Sequence, residues 1–143
     1  NCKNQEQPMK LMTKRIVLAP DIGIHGNLVG GLLMACIDEA AAAFATEYCY
    51  IPNMVTARVG EMLFQKPLKA GHHLRIYGQV QHLGNTSITL CLEARKYSLY
   101  SGEETLVCST NITFVRIDDD GTPTAIGETV RQKYANRMGL VEV

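Results

Sequence analysis

The chain has 143 residues, 46 % apolar and 20 % charged. That is enough for one well-filled core, too little for a second independent domain, and too apolar for disorder. Its 14 basic residues balance 14 acidic ones, so the basic excess of a nucleic-acid binder is absent and membrane-surface binding is not indicated.

Residues 1–10 are polar and read as a flexible segment without a secretory h-region. Residues 11–18 (LMTKRIVL) predict a first strand. The Gly-rich stretch that follows, APDIGIHGNLVGG, predicts a loop. Residues 30–48 carry the one long helical signal. Alanine dominates, and Leu33, Ile37, Ala40, Ala41, Phe44 and Tyr48 recur at three- and four-residue spacings. The other side is small rather than charged, which predicts a helix enclosed on most sides. Asp38 and Glu39 interrupt the longest apolar run, so no 18-residue apolar span is present and a transmembrane helix is not expected. Tyr50-Ile51-Pro52-Asn53 ends the helix.

Four strands follow. In residues 54–64, Val55, Ala57 and Val59 alternate with Thr56, Arg58 and Gly60. In 72–82, Leu74, Ile76, Gly78 and Val80 share a face. In 87–97 the shared face is Ile88, Leu90, Leu92 and Ala94, and in 105–117 it is Leu106, Cys108, Ile112 and Phe114. Leu83 to Thr86, Ser98 to Glu104 and Asp118 to Gly121 read as turns. Residues 127–143 form a tail with a weak helical signal over 127–138. Period-two strands with short connections predict an antiparallel sheet covered on one side. Only one strong helix is available to cover it, so the economical arrangement wraps the sheet around that helix. The five cysteines, Cys2, Cys36, Cys49, Cys91 and Cys108, form no CxxC pair and read as small hydrophobes in a reducing compartment.

The stretch Asp21…Gly26-Asn27-Leu28-Val29-Gly30-Gly31-Leu32-Leu33…Asp38…Ala43 resembles the helix-opening motif of hotdog acyl-CoA thioester hydrolases. The nearest type is the YciA-like group, related to animal cytosolic acyl-CoA hydrolases. Matching pieces continue in order. They are Val55-Thr56-Ala57-Arg58-Val59, Phe64-Gln65-Lys66-Pro67-Leu68 with Gly71, and Gly84-Asn85-Thr86-Ser87. Phe114 to Asp118 and Gly121-Thr122-Pro123 complete the set. The resemblance covers roughly residues 12 to 126 and departs from the family at His25 and at His72-His73. It implies an α+β hotdog fold over 11–126, a long central helix wrapped by a strongly curved antiparallel sheet. It also implies a cytoplasmic acyl-CoA thioesterase of lipid metabolism.

Thioester hydrolysis needs a polarised water, a polarised carbonyl and a route for the thiolate. Asp38 is the candidate general base, because a carboxylate in an apolar run is costly without a purpose. The alternative is a buried Asp bonded to backbone or to a neighbouring serine or threonine. Asn27 reads on its own as a cap or turn residue; the resemblance implies that it orients water or substrate. Gly30 and Gly31 open the helix, where free N–H groups can meet the developing oxyanion, Gly31 being favoured; a flexible turn or close packing is the plain reading. Thr56 is a candidate to hold the water or orient Asp38. Glu39 reads as a solvated residue. For coenzyme A, the resemblance points to Arg58, Gly84, Thr86, Ser87 and Lys96, with Arg75, Arg95 and Arg116 as further cations. Each of these basic residues is by default a solvated charge.

If the helix starts near Gly30, Asp38 lies about 12 Å along its axis, and Asn27 lies before the start. One chain would struggle to bring both to one carbonyl; a two-fold partner would not. The resemblance implies such composite sites at dimer interfaces, and a trimer of dimers. No cofactor, metal, nucleic acid or membrane is expected, coenzyme A being part of the substrate. Three rival readings share the fold: an aromatic, phenylacetate-type acyl-CoA thioesterase, an enoyl-CoA hydratase using His25, and a non-catalytic acyl-CoA-binding protein.

Overall fold

The computed structural model describes residues 9–28 and 30–137. Most of the expected flexible segment, residues 1–8, and residues 138–143 lie outside the described residues.

Strand β1 (Lys10–Ile16) leads through a 3-10 turn (Ala19–Asp21) and a loop into helix α1 (Gly30–Cys49). Then come β2 (Met54–Val59), the short β3 (Leu63–Phe64), β4 (His73–Leu83), β5 (Ser87–Tyr97), β6 (Glu104–Arg116) and helix α2 (Glu128–Arg137). All pairings are antiparallel, and the sheet runs β1-β4-β5-β6-β2, with β3 also on β6. The long strands follow from β-branched, alternating sequences. The alanine-rich segment between two breakers becomes the helix.

The core lies between α1 and one face of the sheet. Leu33, Ile37, Ala41, Ala45 and Tyr48 form the buried stripe of α1. They pack with Leu74, Ile76, Ile88, Leu90, Leu92, Ala94, Ile112 and Phe114 of the strands. Direct register partners such as Leu90–Ile112 and Ile88–Phe114 hold this face together.

The central helix and antiparallel sheet are present, but the expected wrapping is not. The sheet is open, neither closed nor strongly curled, with β1 at one edge and β2 at the other. The reason lies in the helix. It buries one stripe, while Gly31, Met34, Ala35, Glu39, Ala43 and Glu47 are exposed. A helix that offers one stripe needs one sheet face, so nothing drives the edges to meet around it.

Bulges correct two strand faces. In β2, Thr56 pairs with Phe114 and Arg58 with Thr113, so Ala57 is the extra residue. Thr56 and Val59 therefore both face the helix, and Arg58 turns to the outer face. In β6, Ala94 opposes Cys108 and Arg95 opposes Leu106. Val107 is buried in place of Leu106. Among the cysteines, Cys36, Cys49 and Cys108 are free. Cys91 is disulfide-bonded, so the expectation of a free thiol fails there.

Candidate active site

Helix α1 begins at Gly30, and the first N–H groups of a helix have no intrahelical partners. Ahead of it, an isolated bridge between Ile22 and Leu28 and a bond from Gly23 N–H to the Asn27 carbonyl (2.9 Å) shape the loop that carries Asn27. Asn27 lies three residues before Gly30, where α1 begins. A Cβ built on Gly30 or Gly31 meets nothing within 4 Å. Close packing inside the chain therefore does not explain the glycine pair.

Two turns along, Asp38 is half-buried, not deeply enclosed. The Thr56 hydroxyl donates to its Oδ1 at 3.1 Å. This contact depends on the bulge at Ala57, which lets β2 turn both Thr56 and Val59 inward. Asp38, Thr56 and Gly31 line one cavity of about 290 Å³, whose other walls include Met34, Ile37, Val59 and Met62. Gly31, Met34, Ala35 and Asp38 follow i, i+3, i+4, i+7 spacing, so they share one flank of α1.

Asn27 and Gly30 line a different cavity, of about 330 Å³, with Leu33 and the segment Phe64 to Leu68. A single chain thus brings Asp38, Thr56 and Gly31 together and leaves Asn27 apart. Among the described residues, no group of His, Cys, Asp and Glu could hold a metal ion. His25 is exposed in the loop and lines none of these cavities.

The residues expected to contact coenzyme A do not converge within one chain. Gly84, Thr86 and Ser87 form the β4–β5 turn, where Gly84 N–H donates to the Ser87 carbonyl at 2.8 Å. Lys96 is at the other end of β5, about 30 Å away at the usual strand rise. There its charge adds to burial in depressing the His72 pKa. Arg58 is exposed on β2 and makes no ion pair among the described residues. The further cations are committed elsewhere. Arg116 donates to the Ala125 carbonyl at 2.8 Å. Arg75 lies over Tyr97 and Arg95 over Tyr77, and both pair with Glu104.

The sequence reading missed Met34, Ala35, Val59, Met62, Thr110 and Ile112 as walls of the Asp38 cavity. Helical spacing from Gly31 to Asp38 could have found the first two. Alternation of Cys108, Thr110 and Ile112 could have found Thr110 and Ile112.

The Thioesterase superfamily matches residues 25–102, more than half of the chain, a span that holds Asn27, Gly30, Gly31, Asp38 and Thr56. The chain belongs to that superfamily. It is 29 % identical to an uncharacterized acyl-CoA thioester hydrolase of Haemophilus influenzae, over 97 % of this chain and 92 % of that protein. Its fold matches a variant of HI0827, a hexameric broad specificity acyl-coenzyme A thioesterase. The TM-score is 0.82 at 25 % identity, over 92 % of this chain and 99 % of that one. It also matches an acyl-CoA hydrolase from Staphylococcus aureus in complex with butyryl coenzyme A and coenzyme A. There the TM-score is 0.75 at 28 % identity, over 87 % of this chain and 79 % of that one. Alanine variants of the Staphylococcus aureus enzyme at an asparagine, a threonine and an aspartate are among its similar structures. Among the described residues, no helix is long and apolar enough to cross a membrane.

Proposed function

We infer that this chain is an acyl-CoA thioester hydrolase that releases a free carboxylic acid and coenzyme A. The observation that carries the reading is Asp38 held by the Thr56 hydroxyl at 3.1 Å beside Gly31 in one largely apolar cavity. A carboxylate with one oxygen occupied by a donor keeps the other for a water.

In the proposed reaction that water attacks the thioester carbonyl carbon and gives its proton to Asp38. The carbonyl oxygen gains the negative charge and is met by the free N–H at Gly31, with Gly30 beside it. Collapse of the tetrahedral species breaks the C–S bond. The CoA thiolate leaves, and the proton on Asp38 is available to it. Thr56 fixes the carboxylate, which keeps the base aligned with the attacking oxygen.

Asn27 enters from a second chain in this reading. It lines a different cavity from Asp38 in its own chain, and a two-fold pairing places Asn27 of one protomer opposite Asp38 of its partner. The exposed α1 flank and the neighbouring β2 and β3, with Met34, Val55, Leu63 and Phe64 at least 40 % exposed, offer the surface for such a pairing. The hexamer of the related HI0827 thioesterase supports a trimer of such dimers. Coenzyme A contacts by Arg58, Gly84, Thr86, Ser87 and Lys96 then require more than one chain, because Ser87 and Lys96 sit at opposite ends of β5. Residues 11–126 form the catalytic unit in this account. A cytoplasmic location fits the free thiols of Cys36, Cys49 and Cys108; the disulfide at Cys91 counts against it.

The hydratase reading asks for a histidine paired with an acidic residue, and the wall of the Asp38 cavity within one chain carries no histidine; turnover of an enoyl-CoA without thiol release would favour it. The test is thiol release from short, long and aromatic acyl-CoAs by the native chain and by Asp38→Asn. Native turnover and a loss of at least ~100-fold in the variant, with the fold retained, are expected. No release from any substrate sinks the reading.

A further inference from the structure

A cavity of about 530 Å³ is distinct from the one that holds Asp38. It lies between β1, α1 and α2. Its α1 lining, from Cys36 to Tyr48, shares no residue with the lining of the Asp38 cavity. By helical periodicity the two sets occupy opposite flanks of α1.

Its chemistry is that of an anion site with an apolar wall. Phe44 and Tyr48 stack with ring centroids 5.8 Å apart. Lys10, Lys14 and Arg15 of β1 and Lys133 and Arg137 of α2 outnumber the acidic Glu39 and Glu47. Arg15 is paired with Asp21 at 3.2 Å. Lys133 Nζ donates to the Tyr48 carbonyl at 3.1 Å and to the Tyr50 hydroxyl at 3.3 Å. An ammonium has three donors, so one remains for a ligand.

Tyr48 supplies the independent observation. It is 4 % exposed, and its hydroxyl is buried without a hydrogen-bond partner among the described residues. Such a group is costly, and native proteins rarely leave one. Burial raises its pKa, against a smaller opposing influence of Arg137, so the phenol stays a neutral donor. The Lys133 ammonium, at the end of a flexible stem, lies 4.1 Å from the Tyr48 ring centroid.

We propose that this cavity binds a small carboxylate with an apolar body, its head accepting from the Tyr48 hydroxyl and the Lys133 ammonium and its body lying along Phe44. Glu39 and Glu47 favour a singly charged head over a phosphate dianion. The site goes beyond the proposed hydrolase reading and does not rest on turnover, because binding alone reports it.

The test is calorimetric titration of the full chain with octanoate. It is run on the native chain and on Ala35→Trp, in which an exposed wall residue is enlarged to fill the Asp38 cavity. Octanoate is expected to bind Ala35→Trp, and the native chain shows the same site should the tryptophan perturb the fold. Tyr48→Phe removes only an unpartnered hydroxyl and so keeps the fold, with thiol release unchanged. It is expected to weaken octanoate by about fivefold, and Lys133→Met by about tenfold. Absence of octanoate binding, or equal affinity in both variants, overturns the proposal. Displacement of octanoate by inorganic phosphate at comparable concentration also overturns it, in favour of a phosphate site.

Discussion

At the scale of single residues, the glycine pair at the head of α1 separates structural from functional demand. Gly30 and Gly31 have no positive φ, and a Cβ on either meets open space. Alanine has the higher helix propensity. Gly31→Ala is therefore expected to leave the fold intact and raise stability by up to about 1 kcal/mol. It is also expected to cut kcat/KM for acyl-CoA, because the new methyl stands in the cavity that Asp38 and Thr56 share. Thermal unfolding set beside thiol release separates the two effects, and an unimpaired Gly31→Ala enzyme refutes the close-approach argument. His72 gives a second residue-scale case. Its Nδ1 accepts from Lys69 N–H at 2.9 Å. Burial, then the charges of Lys96 and Lys69, push its pKa below the usual 6.5. The native state thus prefers the neutral ring. Its stabilising share is present above pH 6.5 and is lost as the pH falls through the depressed native value. His72→Asn, which keeps an acceptor but cannot titrate, is expected to flatten that part of the acid-side fall in Tm. An unchanged pH profile would remove His72 from the account.

At the scale of elements, the β2–β3 break is the device that shapes the candidate site. Gly60 N–H donates to the Asn111 carbonyl at 2.7 Å, and the Thr110 hydroxyl donates to the Gly60 carbonyl at 3.2 Å. A Cβ at Gly60 would lie 2.1 Å from Asn111 Oδ1 and 3.2 Å from its backbone oxygen. Gly60→Ala is expected to cost about 1–3 kcal/mol through forced displacement. Its effect on turnover should exceed that of a surface change, since Val59 and Met62 on either side wall the Asp38 cavity. Chemical denaturation measures the first, and kcat/KM the second. The same elements show what the sequence could and could not reveal. Alternation placed Leu74, Ile76, Ile88, Leu90 and Leu92 on the buried face, because each packs the simple way. It misread Leu106 and Val107, and it set Thr56 opposite Val59. One inserted residue reverses every face beyond it, and nothing in the local composition at Ala57 or Val107 announces the insertion. Wrapping was misjudged for a related reason. Small residues on the free flank of α1 looked like burial, although in this chain they are exposed.

At the scale of the whole molecule, the separation of Asn27 from Asp38 within one chain motivates the proposed two-chain site. They line different cavities at the head and along the flank of one helix. In the proposed arrangement a site that uses both draws one from each protomer, and a two-fold axis then generates two such sites per dimer. Asn27→Ala and Asp38→Asn are each expected to lose most activity when pure, because every site then lacks one group. Mixed after dissociation and reassociation, half of the dimers are hybrids. In each hybrid both substitutions fall into one site, and the other site is intact. Thiol release should then recover to about a quarter of native, the statistical share for random two-fold pairing. Sites built within one chain cannot be restored by mixing, so a mixture no more active than its components would overturn the composite site.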